Sequence, residues 1–236
     1  MQYFFDPSLE TTSKHFSFEA DESRHILKVL RRQVGDVLLI TNGKGEVFHA
    51  KIMGVQGNKC IGDILRSEKS LPKNYRLHLA VAPTKMNDRF EWFLEKATEI
   101  GIDEITPIIC ERSERKTIKS ERLEKVLQSA MKQSLQTYLP LLHEPMPLEA
   151  FLQRPEQGIC FIAHCEEDRK TDLLQALVPN LEVTVLIGPE GDFSPREIAQ
   201  ALQKGFRPVS LGNNRLRTET AAIVTCTVVA MANNKT

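Results

Sequence analysis

The chain carries no excess of either charge: 31 Lys and Arg stand against 31 Asp and Glu, for a formal net charge of zero. A uniformly basic, RNA-coating surface is therefore excluded, and any nucleic-acid contact must come from local clusters. The five cysteines, Cys60, Cys110, Cys160, Cys165 and Cys226, are odd in number and never spaced Cys-x-x-Cys, which argues against a disulfide framework or a zinc site. Most lie among apolar neighbours and read as small core residues. The His164-Cys165 pair has no second ligand cluster near it in sequence and reads as a strand end rather than a metal site or a nucleophile. The opening residues, Met1-Gln2-Tyr3-Phe4-Phe5-Asp6, hold neither a basic leader nor an apolar segment, so no secretory signal is expected. The longest apolar run, near 221–232, is too short to span a bilayer. A cytoplasmic protein with no membrane attachment and no metal is the expectation. No repeat period is visible, and no Gly-x-Gly-x-x-Gly follows a strand, which disfavours a dinucleotide oxidoreductase. Aromatics suited to stacking on a base are few; Phe193 and Tyr138 are available, with core packing the better reading of Phe193.

What is present divides near residue 70. With 236 residues there is enough chain for a substantial core in one or two domains. Residues 1–70 hold one helical stretch, 21–31, with Ile26, Val29 and Leu30 on a common face. Otherwise they read as short strands, among them 37–40 and 47–52 joined by Asn42-Gly43-Lys44-Gly45, a hairpin signal, and 59–65. Short strands must close or stack to hide their edges, so a small β-barrel is expected. The polar stretch 67–74 reads as a linker. Beyond it strands and helices alternate: strands near 77–82, 104–110, 158–163, 183–187 and 208–211, helices near 88–100, 120–134, 148–153, 171–177, 195–204 and 219–232. Such alternation argues for an α/β domain with a mostly parallel sheet.

The last fifth is the most informative part. Leu186-Ile187-Gly188-Pro189-Glu190-Gly191 ends one apolar strand at a glycine, and Leu211-Gly212-Asn213 ends the next. A glycine there leaves backbone N–H and C=O groups open to a ligand, and loops at the carboxyl ends of neighbouring strands are where open α/β sheets bind ligands. After the first loop, Ser194 is expected as N-cap, Pro195 as the first helical residue and Glu197 as the reciprocal capping-box partner, with Lys204 and Gly205 as the stop. After the second, Thr218 is expected to cap a helix so apolar on all sides that it must be buried, within the chain or against a partner.

Leu-Ile-Gly-Pro-Glu-Gly at 186–191, Leu-Gly at 211–212 and Leu-Arg-Thr-Glu-Thr-Ala at 216–221 resemble the signature of knotted SPOUT methyltransferases. More narrowly they are similar to the bacterial small-subunit ribosomal RNA uridine-N3 methyltransferases. Further matches lie at 25–31 with Gly35-Asp36, at Glu91, at 96–101 and at 111–113, so the likeness covers most of the chain. Two positions depart from that pattern: Asp192 stands where many relatives have a third glycine, and Gln2 where an arginine is frequent. The resemblance implies a PUA-like β-barrel RNA-binding domain over 1–70 and a SPOUT domain with a C-terminal trefoil knot over 75–236. It also implies a homodimer with the last helix across the two-fold axis. The implied activity is S-adenosylmethionine-dependent methylation of N3 of a uridine in 16S ribosomal RNA, acting on the RNA or on the small ribosomal subunit. Ribose 2′-O methylation and a noncatalytic RNA-binding role remain alternatives at this point.

Under that resemblance Leu186, Ile187, Gly188, Glu190 and Gly191, with Leu211, Gly212, Asn213, Leu216, Arg217, Thr218 and Thr220, would hold the cofactor. Methylating N3 requires loss of a weakly acidic imide proton and spreads negative charge onto the flanking carbonyls. Arg217 beside those oxygens would lower the barrier, though it cannot act as base because a guanidinium stays protonated. A solvated arginine or a salt bridge to Glu219 is the competing reading. Glu190 or Glu219 would accept the proton if a neighbour raised its pKa. RNA contacts are expected from Arg24, Lys28, Arg31 and Arg32, from Lys85 and Arg89, and from Arg112, Arg115, Lys116 and Lys119, although such charges are commonly only solvated.

Overall fold

The computed structural model describes residues 2–155, 158–166 and 169–234. Contacts divide the chain into two compact units, one of residues 1–72 with 131–139, the other of 73–130 with 140–236. The first unit contains β1 (Phe4–Phe5), β2 (His15–Ser17), α1 (Ala20–Arg24), β3 (Val37–Thr41), β4 (Glu46–Gln56) and β5 (Lys59–Lys69). These form one curled sheet in the order β1-β3-β4-β5-β2. β1 runs parallel to β3 and the remaining pairs are antiparallel. The Asn42–Gly45 hairpin turns as expected, with Gly43 and Gly45 at φ of +70° and +92°. Phe4, Phe16, Phe18, Ile26, Ile40, Phe48 and Ile52 fill the inner face.

Three features of this unit differ from the sequence reading. The helix expected over 21–31 is α-helical only through Arg24; His25–Val29 follow as a π-turn, and Arg31 ends it at φ +54°. The sheet needs Ile26 inward, and a wider turn re-aims the exposed residues around it. β5 extends to Lys69, into the stretch expected to be linker, because β4 is equally long and its backbone groups need partners to the end. Residues 131–139, expected within the second domain, belong by contact to the first unit. Backbone bonds account for it: Tyr3 N–H to Lys132 C=O at 3.0 Å, Gly45 N–H to Thr137 C=O and Leu139 N–H to Gly43 C=O, both at 2.9 Å. Tyr138 adds a hydroxyl bond to Ser70 C=O, so it packs in the hairpin rather than standing free to stack on a base.

The second unit runs β6 (Arg76–Val81), α2 (Asn87–Ile100), β7 (Glu104–Ile109), α3 (Ser120–Gln133, whose last turn belongs to the first unit), β8 (Leu141–Leu142), β9 (Met146–Pro147), α4 (Leu148–Phe151), β10 (Ile159–Ala163), β11 (Thr171–Asp172), α5 (Leu173–Ala176), β12 (Glu182–Ile187), α6 (Pro195–Gln203), β13 (Arg207–Ser210) and α7 (Thr218–Asn233). The sheet is parallel, in the order β11-β13-β10-β12-β6-β7-β8, with β9 also on β7. Its central strands are near-continuous apolar runs, as strands covered on both faces must be, and Leu79, Ile105, Phe161, Val185 and Leu186 are fully buried. The helix expected over 171–177 is instead a two-residue strand followed by one turn, capped by Asp172, whose carboxylate accepts the Leu174 N–H.

Candidate cofactor pocket

α6 starts as its sequence dictates. The Ser194 hydroxyl accepts the Glu197 N–H and the Glu197 carboxylate accepts the Ser194 N–H at 2.8 Å. The second Glu197 oxygen takes the Glu111 N–H at 2.8 Å, so one buried side chain fixes both the helix and the chain leaving β7. α7 starts differently. Arg217, not Thr218, is its N-cap residue, and no side chain caps it. The Thr218 hydroxyl donates instead to the Gly188 carbonyl at 3.0 Å, trading a local cap for a bond between the two glycine loops. The first N–H groups of α7 are thereby left facing a pocket with a helix-dipole positive end.

That pocket, about 680 Å³, opens at the carboxyl ends of β10, β12 and β13. Of the residues expected to hold a cofactor, Ile187, Gly188, Glu190, Leu211, Gly212, Asn213, Leu216, Arg217 and Thr218 line it. Leu186, Gly191 and Thr220 are not among the lining residues. Leu186 lies in the core between β6 and β10. Gly191 serves Arg112: a Cβ there would sit 3.3 Å from the Arg112 Cβ, and the Arg112 guanidinium donates to the carbonyls of Gly191 and Phe193 at 3.0 and 3.3 Å. Gly188 has a packing reason as well as an open backbone, since a Cβ would approach the buried Phe193 ring to 3.0 Å. At Gly212 the space is open, and φ of +110° is what calls for glycine.

The acid candidates separate. Glu190 lines the pocket and its Oε1 accepts the Lys85 N–H at 2.9 Å. Glu219 is buried, does not line the pocket, and lies with Oε1 3.9 Å from Arg89 Nε. Arg217 is exposed and lines the pocket, while the cation beside Glu219 is Arg89.

Asp192, noted as a departure from the family pattern, does line the pocket, whereas sequence reasoning missed the wall supplied by His164, Cys165 and Lys170 after β10, and also Arg215. Their only signal was proximity to a strand end. Asp192 has φ of +62°, and its carboxylate accepts the Cys165 N–H at 2.8 Å and the Phe193 N–H at 2.9 Å. Burial first, then the Asp192 charge, pushes the Cys165 thiol up. Burial likewise raises Cys110 and Cys226, which makes them inert core thiols.

The basic residues expected to meet RNA fall in both units. Arg24 pairs with Asp21 and Arg32 approaches Asp36 at 4.0 Å, while Lys28 and Arg31 are exposed. Lys85 pairs with Glu114 at 2.8 Å, Arg115 donates to the Thr117 carbonyl at 3.0 Å, and Lys116 is exposed. Arg89 and Arg112 are committed to Glu219 and to the loop carbonyls. Phe193 is core.

Away from the pocket, His78, Glu104 and His143 place possible ligand atoms within 4.8 Å of one another, a cluster not foreseen when no metal was expected. The Glu104 carboxylate is already engaged by Arg76 and by His143 Nε2 at 2.8 Å. Burial pushes Glu104 up, but the His143 bond and the charges of His78, Arg76 and His143 outweigh it and hold the carboxyl below its ordinary value.

A parallel sheet whose carboxyl-end glycine loops enclose one pocket beside a helix N-terminus defines a small-molecule-binding α/β protein, and comparison with known proteins makes the class specific. Residues 71–230 match the family described as RNA methyltransferase domain, and 18–65 match RNA methyltransferase PUA domain. The chain belongs to the RNA methyltransferase family in which the proteins named ribosomal RNA small subunit methyltransferase E are found. That of Rickettsia conorii is 31% identical over 86% of this chain and 84% of its own length. That of Buchnera aphidicola from Acyrthosiphon pisum is 30% identical over 91% and 87%. A probable rRNA-methyltransferase of Porphyromonas gingivalis shares the fold at a TM-score of 0.90, with 41% identity and 99% and 98% coverage. A Legionella pneumophila protein described as a methyltransferase and solved with bound SAM matches at 0.88, with 28% identity and 98% and 97% coverage. The architecture is thus the SPOUT α/β fold with a PUA-like N-terminal sheet.

Proposed function

We propose that the chain uses S-adenosylmethionine to methylate N3 of a uridine in 16S ribosomal RNA. The observation that carries this reading is the convergence of Gly188, Gly212 and the start of α7 on one pocket, tied by the Thr218–Gly188 bond. The residues fit such a donor. Open backbone at Ile187–Glu190 and Leu211–Leu216 can match the donors and acceptors of an adenine edge without side chains, and the uncapped N–H groups of α7 suit a carboxylate or a developing oxyanion. Bound there, the cofactor supplies an electrophilic methyl group on a sulfonium.

The chain's own part is positioning and electrostatics. Arg217, exposed at the pocket edge, stabilises charge that develops on the uracil carbonyls as the N3 proton leaves. Glu190 is the better placed of the two acids to receive that proton, because it lines the pocket whereas Glu219 does not. Glu219 faces Arg89 across 3.9 Å instead. Alignment of the methyl group and the nitrogen supplies part of the acceleration without further chemistry. Lys28, Arg31 and Lys116, all exposed, contribute phosphate contacts.

A homodimer through α7 belongs to the same proposal. The helix buries Ala222, Cys226, Val229 and Ala232 within the chain, while Ile223, Val224 and Val228 remain half-buried and Met231 is 64% exposed. Among the described residues no helix is long and apolar enough to cross a membrane, so a second copy is the cover proposed for that face. Mass analysis of 16S RNA from cells lacking the protein tests the reaction. Loss of one methyl from a uracil base supports it; loss of a ribose methyl, or no change, contradicts it.

A further inference from the structure

Asp192 occupies a backbone conformation that glycine adopts freely and other side chains rarely do. Asp and Asn are the side chains that tolerate it, and here the carboxylate stands on the pocket wall. Resting on the reading of the pocket as a methyl-donor site, we propose that Asp192 selects by charge, favouring the sulfonium-bearing donor over the neutral thioether that remains after transfer.

The carboxylate is fixed. Its two oxygens accept N–H groups from Cys165 and Phe193, so it bridges the loop after β10 and the loop after β12 and cannot swing away. The charges around it make its sign matter. Lys170, Arg215 and Arg217 line the same pocket, opposed only by Glu190 and Asp192 among the described acids of the lining. The Lys170 ammonium points at the carbonyls of His164 and Glu166, and Glu190 is engaged by the Lys85 N–H. Removing Asp192 would leave three cations facing one carboxylate. These charges overlap at the Cys165 wall, where Asp192 raises the thiol and Arg215 and Lys170 lower it.

The ligands differ in the property this wall senses. S-adenosylmethionine carries a sulfonium, an ammonium and a carboxylate. When the methyl group leaves for the nucleophile, the C–S bonding pair stays on sulfur and the sulfonium charge disappears. A nearby fixed carboxylate therefore stabilises the donor more than the product, which assists product release without loosening donor binding.

Calorimetry of both ligands with the full-length protein and its Asp192→Asn and Asp192→Gly variants tests the proposal. Asparagine tolerates the positive φ and keeps one oxygen for the Cys165 N–H but loses the acceptor for the Phe193 N–H, so the ratio of the two affinities, rather than either alone, isolates the charge. The expected result is that S-adenosylmethionine weakens about three- to ten-fold while S-adenosylhomocysteine changes by less than about two-fold. Asp192→Gly, which also loses the brace, should show the same loss of preference on top of a shared weakening. Equal weakening of both ligands in Asp192→Asn, or no change in either, overturns the proposal and leaves Asp192 a loop brace. A wild-type protein that binds neither ligand overturns the pocket reading itself, a result distinct from the previous two.

Discussion

The Thr218 hydroxyl lies 3.0 Å from the Gly188 carbonyl oxygen, joining residues thirty positions apart in a buried bond between the two loops of the pocket. It leaves the first N–H groups of α7 without a side-chain cap and ties the two glycine loops together.

Thr218→Val keeps the shape and removes the donor, leaving a buried carbonyl unsatisfied. A loss of about 1–3 kcal/mol in unfolding free energy is expected, together with weaker S-adenosylmethionine binding, while Thr218→Ser should retain most of both. Urea denaturation and calorimetry measure them; a valine variant with unaltered donor affinity would show that this bond does not set the pocket.

Arg217→Ala should lower single-turnover methylation by about 10²-fold or more, with cofactor affinity within a few-fold of wild type. Comparing rapid-quench rates with calorimetry separates the two. An equal loss in both would make Arg217 a cofactor anchor instead.

Gly212→Ala meets no neighbour, yet it must hold φ of +110°. A cost of about 1–2 kcal/mol is expected, appearing as weaker donor binding because the loop relaxes. Gly188→Ala acts by another route, pressing on the Phe193 ring at 3.0 Å, and should lower the melting temperature as well. A valine at 188 would strain the core further, so it is a poor probe of binding alone.

Glu104 gives the fold a pH dependence of known sign. Its carboxyl is held below the ordinary value of 4.5 in the folded chain, so the folded state binds fewer protons than the unfolded one. The resulting stability is present above the unfolded value and is lost as pH falls through the lower folded value. Glu104→Gln should be less stable than wild type at pH 7, with the gap closing as pH falls below the ordinary carboxyl value of 4.5. Urea titrations across that range measure it, and a gap independent of pH would contradict the assignment.

Much of this was legible before any coordinates. The alternation of apolar strands and amphipathic helices after residue 70, the Asn42–Gly45 hairpin and the Ser194–Glu197 capping box are local patterns, and local patterns are what sequence carries. The glycine loops were legible for the same reason. What sequence hid was long-range. Nothing in Tyr138 or Thr137 announces that they dock on the Gly43–Gly45 hairpin, and nothing in Thr218 distinguishes a cap from a tether to Gly188. Arg112 looked like a phosphate contact because its partners, two backbone carbonyls 79 and 81 residues away, leave no trace in charge patterning. α7 read as buried within the chain or against a partner, and composition cannot say which of its apolar faces the chain itself covers.

A crystal structure with S-adenosylhomocysteine tests the central claim most directly. The account predicts the ligand between the loops at 187–190 and 211–218, with its adenine edge on their backbone groups and its sulfur on the side of Asp192. Ligand bound elsewhere, or an empty pocket from crystals grown at saturating ligand, would contradict it.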